Sequence, residues 1–251
     1  MSTGSSDRSA RVAWHELECG SYAADLALWE ELAERAGDPV LEIGAGTGRV
    51  AIHLARSGRR VIAVERDPEL AERLAERVAD DELSVEVVGA DARALDAQRL
   101  GSQVPLAIGP MHVIQGVDAE ARREVLAAAA RCLAPGGALA LTVVDESYLD
   151  DPAAAAVPPI PDMREIDGVV FSSEPLWVQV SPRAFTVRRL RRRVEPGGEL
   201  QSEIHDDLLY RVSPRELEQE ASRAGLRSAG QRGVRSARGE ADSIVVILEA
   251  Q

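Results

Sequence analysis

The sequence contains no lysine and no asparagine, so all 29 of its Lys/Arg-type cations are arginine. Those absences exclude a phosphate-binding loop built on lysine, a lysine Schiff base, N-glycosylation and every catalytic motif that needs asparagine. Cysteine occurs only at Cys19 and Cys132, with no CxxC pair and no Cys/His cluster. Neither a disulfide framework nor a metal site is expected, and a reducing cytoplasm is the compartment that fits. No apolar run approaches the ~18 residues of a membrane span, and the polar start MSTGSSDRSAR carries no apolar signal segment, so a soluble protein with no membrane partner is expected. Aromatic residues make up 3% of the chain, which leaves few stacking platforms for single-stranded nucleic acid. Positive charge is also scarce: 42 acidic residues against 29 basic ones give a net charge of −13, which disfavours a nucleic-acid backbone as partner and favours a small molecule. The sequence leaves a homodimer open.

What is present is a rhythm. The 251 residues suffice for one large α/β domain with an appendage. A lead-in helix is expected over residues 20–36, with Leu26, Trp29, Leu32 and Ala33 on one stripe and Gly37-Asp38-Pro39 as its stop. VLEI (40–43) then reads as a buried strand, 49–58 as a helix, RVIAVE (60–65) as a second strand, and Asp67-Pro68-Glu69 as the start of a helix to about Ala79. Strands are expected at 83–91, 105–110 and 138–145, with a helix over 118–133. This alternation predicts a Rossmann-like, mostly parallel seven-stranded sheet with helices on both faces.

After a Pro/Ala-rich stretch from Asp151 to Pro161, read as a linker or mobile loop, the period changes to strand alternation without helices. Taking Pro196-Gly197-Gly198 as a hairpin loop pairs Val194 with Leu200, Leu190 with Ile204 and Arg188 with Asp206 on one face. Arg193 with Gln201, Arg191 with Glu203 and Arg189 with His205 then fall on the other, so the arginine run reads as a charge-paired, solvated face. Ser213 with Glu216 forms a capping box for a helix stopped by Gly225, and strands near 227–234 and over 243–250 follow. The expected division is a flexible N-terminal segment (1–19), a cofactor-binding core (20–150), a linker and antiparallel insertion acting as a substrate lid (151–211), and a helix and strands completing the core sheet (212–251).

The stretch LEIGAGTGRV carries the chemistry. A strand that ends in Gly44-x-Gly46-x-Gly48 and turns into a helix lets backbone approach a ligand closely and offers free N–H groups. Glu65, at the end of the next strand and 21 residues after Gly44, is placed to accept hydrogen bonds from ribose hydroxyls. A dinucleotide fold needs its third glycine three places after the second, where this chain has Arg49, so the pyrophosphate reading weakens.

EIGAGTG, Glu65 and GADA (89–92), in that order, resemble the class I S-adenosylmethionine-dependent methyltransferases over about residues 20–145. The resemblance implies S-adenosylmethionine as cofactor, with Gly44, Gly46 and Gly48 lining its methionine part and Glu42 helping to hold the ammonium. It further implies Glu65 on the ribose, Asp91 on the adenine amino group with Ala92 alongside, Pro110 and Met111 bordering the adenosyl pocket, and Tyr22 closing over it. The Ala/Arg-rich, Lys-free usage is that of a high-GC bacterial genome. Two departures stand out: strand four reads V-P-L-A where the family often has an F-D-L-V type run, and the (N/D)PP(Y/F) tetrad and Pro-Cys nucleophile of base methyltransferases are absent. Methylation of O or N on a small molecule, such as a secondary metabolite, is therefore expected.

His112, two residues beyond Pro110, is the candidate general base, with lining the pocket or capping the next helix as its alternative role. Gln115 is a candidate to orient substrate or to make a structural hydrogen bond. His15, Met163 and Trp177 are candidate substrate contacts, while His53 and His205 read as structural. Two other functions stay open at this level: a cofactor-binding enzyme of the same fold with a non-methylating reaction, and a non-catalytic partner subunit.

Overall fold

Strong caps and buried β-branched runs set the order of elements in the computed structural model, which describes residues 3–148, 161–236 and 242–251. In chain order these are α1 (Thr3–Cys19), α2 (Leu26–Ala36), β1 (Val40–Ile43), α3 (Arg49–Arg56), β2 (Val61–Glu65), α4 (Pro68–Asp80), β3 (Val85–Gly89), β4 (Val104–Gly109), α5 (Ala119–Cys132) and β5 (Leu133–Val144). There follow β6 (Asp162–Ile166), β7 (Val169–Val180), β8 (Ala184–Val194), β9 (Leu200–Tyr210), α6 (Pro214–Ser222), β10 (Leu226–Val234) and β11 (Ser243–Ala250). The Pro/Ala-rich linker expected over 151–161 lies, up to residue 160, outside the described residues.

The chain divides into two units. The larger, Ala23–Asp145 with Val212–Gln251, is the expected seven-stranded Rossmann-like sheet, in the order β10-β11-β5-β4-β1-β2-β3. Strands β1 to β5 are mutually parallel, whereas β11 runs antiparallel to both β5 and β10. One face buries Leu41, Ile62, Leu139 and Leu141 against Leu126 of α5 and Leu217 of α6; the other buries Val40, Val61 and Leu106 against Trp29, Leu54 and Leu74. The alternation is that of a sheet buried on both faces. The helix starts are well made: Asp67 accepts from the N–H groups of Glu69 and Leu70, and Ser213 and Glu216 form the expected capping box. Pro105 sits at a register shift in the β4–β5 pairing, between Val104 and Leu106, where a missing N–H costs no regular ladder bond.

The lead-in helix begins at Leu26 rather than residue 20. Asp25 precedes it but spends its carboxylate elsewhere: Oδ2 accepts from Trp29 Nε1 at 2.8 Å and from Arg49 Nη2 at 2.8 Å, and Oδ1 from Arg49 Nη1 at 2.6 Å. This buried fork ties α2 to α3.

The second unit combines α1 with a four-stranded antiparallel sheet, β6-β7-β8-β9. All six hairpin pairs expected around Pro196-Gly197-Gly198 occur in the β8–β9 register. The segment before residue 20, expected as flexible, is instead helical from Thr3, because Ala10, Ala13, Trp14 and Leu17 form a stripe that buries against Phe171. The Trp14 and Phe171 rings meet edge-on with centroids 5.0 Å apart. Glu18 accepts from Ser173 Oγ at 2.7 Å and takes a two-pronged bond from Arg191 at 2.8 and 2.6 Å. Among the described residues no helix is long and apolar enough to cross a membrane.

Candidate active site

Chain order reverses between β4 and β1, and in such sheets the crevice at the carboxyl ends of the strands at that point is where ligands bind. The loop leaving β1 there is built by its glycines. Gly44, Gly46 and Gly48 have φ of +72°, +56° and +92°, a region that costs a side-chain-bearing residue about 1–2 kcal/mol. A Cβ on Gly44 would also overlap Val113 Cγ2, and one on Gly48 would overlap Leu74 Cδ1. Gly44 and Ala45 donate to the Val64 carbonyl at 2.9 and 3.0 Å, which folds the loop back across β2.

Two carboxylates interrupt the otherwise apolar strands β1 and β2. Glu65 is 7% exposed; its Oε2 accepts from Gly46 N–H and its Oε1 from Asp67 N–H, both at 2.8 Å. Each oxygen keeps a further lone pair, the capacity that ribose hydroxyls need. Glu42 is 2% exposed, and its Oε2 has no hydrogen-bond partner among the described residues. Burial pushes its carboxyl up to about 8 against an opposing pull from Arg49. An unsatisfied acceptor this deep is costly unless a donor comes to it.

That titration has a measurable sign. Glu42 ionises near 4.5 in the unfolded chain and about 8 in the folded one, so its contribution to stability is fully present below 4.5 and is lost as pH rises towards 8. His112 shifts the opposite way, from 6.5 to about 4, and above 6.5 adds no slope. The melting temperature is therefore expected to fall between pH 6.5 and 8, and Glu42→Gln should abolish that fall in a thermal-shift series; a persisting slope would reject the assignment.

At the end of β3, Asp91 caps the short 3-10 turn at 92–94, accepting from Arg93 N–H at 2.9 Å and from the Arg93 guanidinium at 3.0 and 2.7 Å. Those bonds hold its carboxyl down to about 2. Ala92 opens the turn beside it. After β4, Pro110 is buried and the two residues that follow, Met111 and His112, both have positive φ, +51° and +59°. Neither is a glycine, and such strain persists only where surroundings enforce it. A contact reaches this loop from β11: Ser243 Oγ lies 2.9 Å from His112 Nε2. Burial depresses the imidazole to about 4, with Asp25 opposing, so the ring is neutral at ordinary pH.

Gln115 does not face a substrate. It is fully buried, and its Oε1 accepts the Val144 N–H at 2.8 Å, pinning the loop after β4 to β5. This is the structural hydrogen bond, and the substrate assignment falls because no surface of the side chain is accessible.

The larger unit thus brings together Glu42, the three glycines, Glu65 and the loop from Pro110 to Val113, with Asp91 and Ala92 on the neighbouring strand end. Tyr22, His15, Met163 and Trp177 belong to the other unit. Tyr22 sits in the turn after α1, half-buried, and His15 lies on α1. Met163 is 67% exposed on β6; Trp177 is 41% exposed on β7 with the Arg188 guanidinium 4.6 Å from its ring centroid. His205 contacts Asp207 at 3.1 Å, and His53 lies 3.4 Å from Glu30. The sequence reading missed Asp25, Arg49 and Ser243. Only Asp25 left a local sign, its spacing of four from Trp29; Ser243 acts across 131 positions of chain. Among the described residues no three His, Cys, Asp or Glu side chains group to hold a metal.

Residues 40–137 match the family model described as a methyltransferase domain. The fold is the Rossmann-like fold of the class I, S-adenosylmethionine-dependent methyltransferases, and the matched segment is similar to their methyltransferase domain. Across 95–96% of its length the chain superposes on two solved structures. One is an amino pentose methyltransferase from Micromonospora echinaspora (17% identity, TM-score 0.70, 97% of that chain), the other a sugar N-methyltransferase from a Streptoalloteichus species (18%, 0.70, 92%). A curated relative, ribosomal RNA small subunit methyltransferase A of Anaeromyxobacter dehalogenans, is 37% identical over 105 residues, which is 41% of this chain and 36% of that protein. The chain spans little more than a third of the length of that relative.

The residues present fit S-adenosylmethionine. The unsatisfied, buried Glu42 Oε2 awaits a donor such as an ammonium, and Glu65 retains acceptor capacity.

Proposed function

We propose that the protein transfers a methyl group from S-adenosylmethionine to an oxygen or nitrogen of a small molecule, with a sugar-bearing or amino-sugar secondary metabolite as the acceptor class. The bound cofactor supplies an electrophilic methyl group on sulfur. Everything else falls to the chain: Glu42 and the glycines hold the amino-acid end, Glu65 grips the ribose, Asp91 and Ala92 receive the adenine, and Pro110 and Met111 border it.

The observation that carries this reading is the loop after β4. It is Gly109-Pro110-Met111-His112, without the amide-and-aromatic tetrad of base methyltransferases, and it presents a neutral imidazole. With Nε2 engaged by Ser243, His112 offers Nδ1 to accept a proton from the acceptor's hydroxyl as the new bond forms, or from an amine nitrogen once it has taken the methyl group. Alignment of donor and acceptor supplies most of the rate.

The ribosomal RNA methyltransferase match favours a second reading, in which RNA is the acceptor. Incubation with S-adenosylmethionine and either a panel of amino and hydroxy sugars or deproteinised small-subunit RNA separates the two. S-adenosylhomocysteine and a methylated sugar by mass spectrometry are expected; methyl incorporation into RNA alone overturns the proposal. His112→Ala is expected to lower turnover by about 10²–10⁴-fold with cofactor affinity unchanged.

A further inference from the structure

The exposed large apolar side chains among the described residues all belong to the four-stranded sheet, and five of them, 41–67% exposed, share one face: Met163, Trp177, Leu200, Ile204 and Leu208. The register fixes this. Leu200, Ile204 and Leu208 of β9 oppose Val194, Leu190 and Thr186 of β8, Arg188 of that same row opposes Trp177, and Met163 opposes Ser172, itself opposite Arg192. The other face carries α1, through Trp14 on Phe171 and Glu18 on Ser173 and Arg191.

We propose that this α1-free face of the four-stranded sheet is the interface of a homodimer, packed face to face on the same face of a second copy. The reading is independent of the acceptor and of the chemistry proposed above.

Charge selects the occupant. Two chains of net charge −13 repel each other broadly, so they can meet only where charge is locally balanced. Here Arg188 is paired with Asp206 at 2.6 Å and Arg192 with Glu174 at 3.2 Å, leaving Glu165 at the β6 margin as the remaining charge. Such a face has no spare cations for nucleic acid and little spare acid for a basic partner. It is apolar and charge-balanced, which suits the self-complementary contact of a two-fold dimer.

Area agrees. Strands of 5, 12, 11 and 11 residues, about 4.8 Å apart and rising about 3.3 Å per residue, cover roughly 600 Å² before side-chain relief, three quarters of the ~800 Å² per partner of a stable interface. Edge-to-edge pairing is discouraged by Glu203, Asp206 and Asp207 on the outer strand β9.

Sedimentation velocity on the full chain is expected to give a species of twice 26.9 kDa. Ile204→Asp combined with Leu208→Asp should halve that mass with an unchanged circular dichroism spectrum, while Val178→Asp, on the opposite face and 47% exposed, should leave it dimeric. Should the double variant fail to fold, hydrogen exchange on the wild type decides: amides of β8 and β9 must gain protection as concentration rises. A wild-type monomer, a double variant that stays dimeric, or protection independent of concentration would each overturn the proposal.

Discussion

Glu65→Gln is expected to weaken S-adenosylmethionine binding by between about tenfold and more than a hundredfold, measured by titration calorimetry. A hydrogen bond to a charged acceptor contributes about 1.5–3 kcal/mol, and tenfold in affinity is about 1.4 kcal/mol. The amide looks conservative but is not. Both oxygens of Glu65 already accept backbone N–H groups, from Gly46 and Asp67. Glutamine must therefore turn an NH₂ towards one of two donors, and either choice leaves a buried N–H without its acceptor. The substitution loosens the glycine loop or the start of α4 as well as removing a ribose partner. Glu65→Asp keeps the charge but shortens the reach, so it should recover only part of the loss. Unchanged affinity in Glu65→Gln would remove the ribose from this site.

Gly44→Ala is expected to destabilise the fold by about 2–5 kcal/mol and to abolish measurable turnover. Two costs combine there: alanine at φ +72° pays about 1–2 kcal/mol, and its Cβ overlaps Val113 Cγ2, an overpacking cost of about 1–3 kcal/mol. Val113 directly follows Met111 and His112, so relief of the overlap must move the strained loop that carries the imidazole. Gly58→Ala separates the terms, since Gly58 has φ +84° with nothing near its Cβ position. It should cost only the backbone strain. Equal urea midpoints for the two variants would mean that Val113 moves aside freely.

How far the sequence could carry these expectations depended on how local each signal was. The β8–β9 register was legible because the Pro196-Gly197-Gly198 loop fixes the offset and any slip mixes apolar with charged partners. The glycine loop and Glu65 were legible because a short motif and a strand spacing state the geometry directly. The α1 helix was not, since its apolar stripe is brief, its composition is polar, and the partner that buries it, Phe171, lies far along the chain. Gln115 illustrates the same limit: spacing placed it one turn beyond His112, but only the return of β5 shows that its side chain points inward to Val144. Asp25 was missed for the same reason, since Arg49, which binds both of its oxygens, lies 24 positions further along the chain.

The bond between His112 and Ser243 links the middle of the chain to its last strand. During synthesis the strands that carry the glycine loop and Glu65 emerge long before that last strand. The imidazole, by contrast, stays unanchored until β11 has left the ribosome and slotted in beside β5. The loop after β4 is thus among the last parts of the larger unit to be held in place.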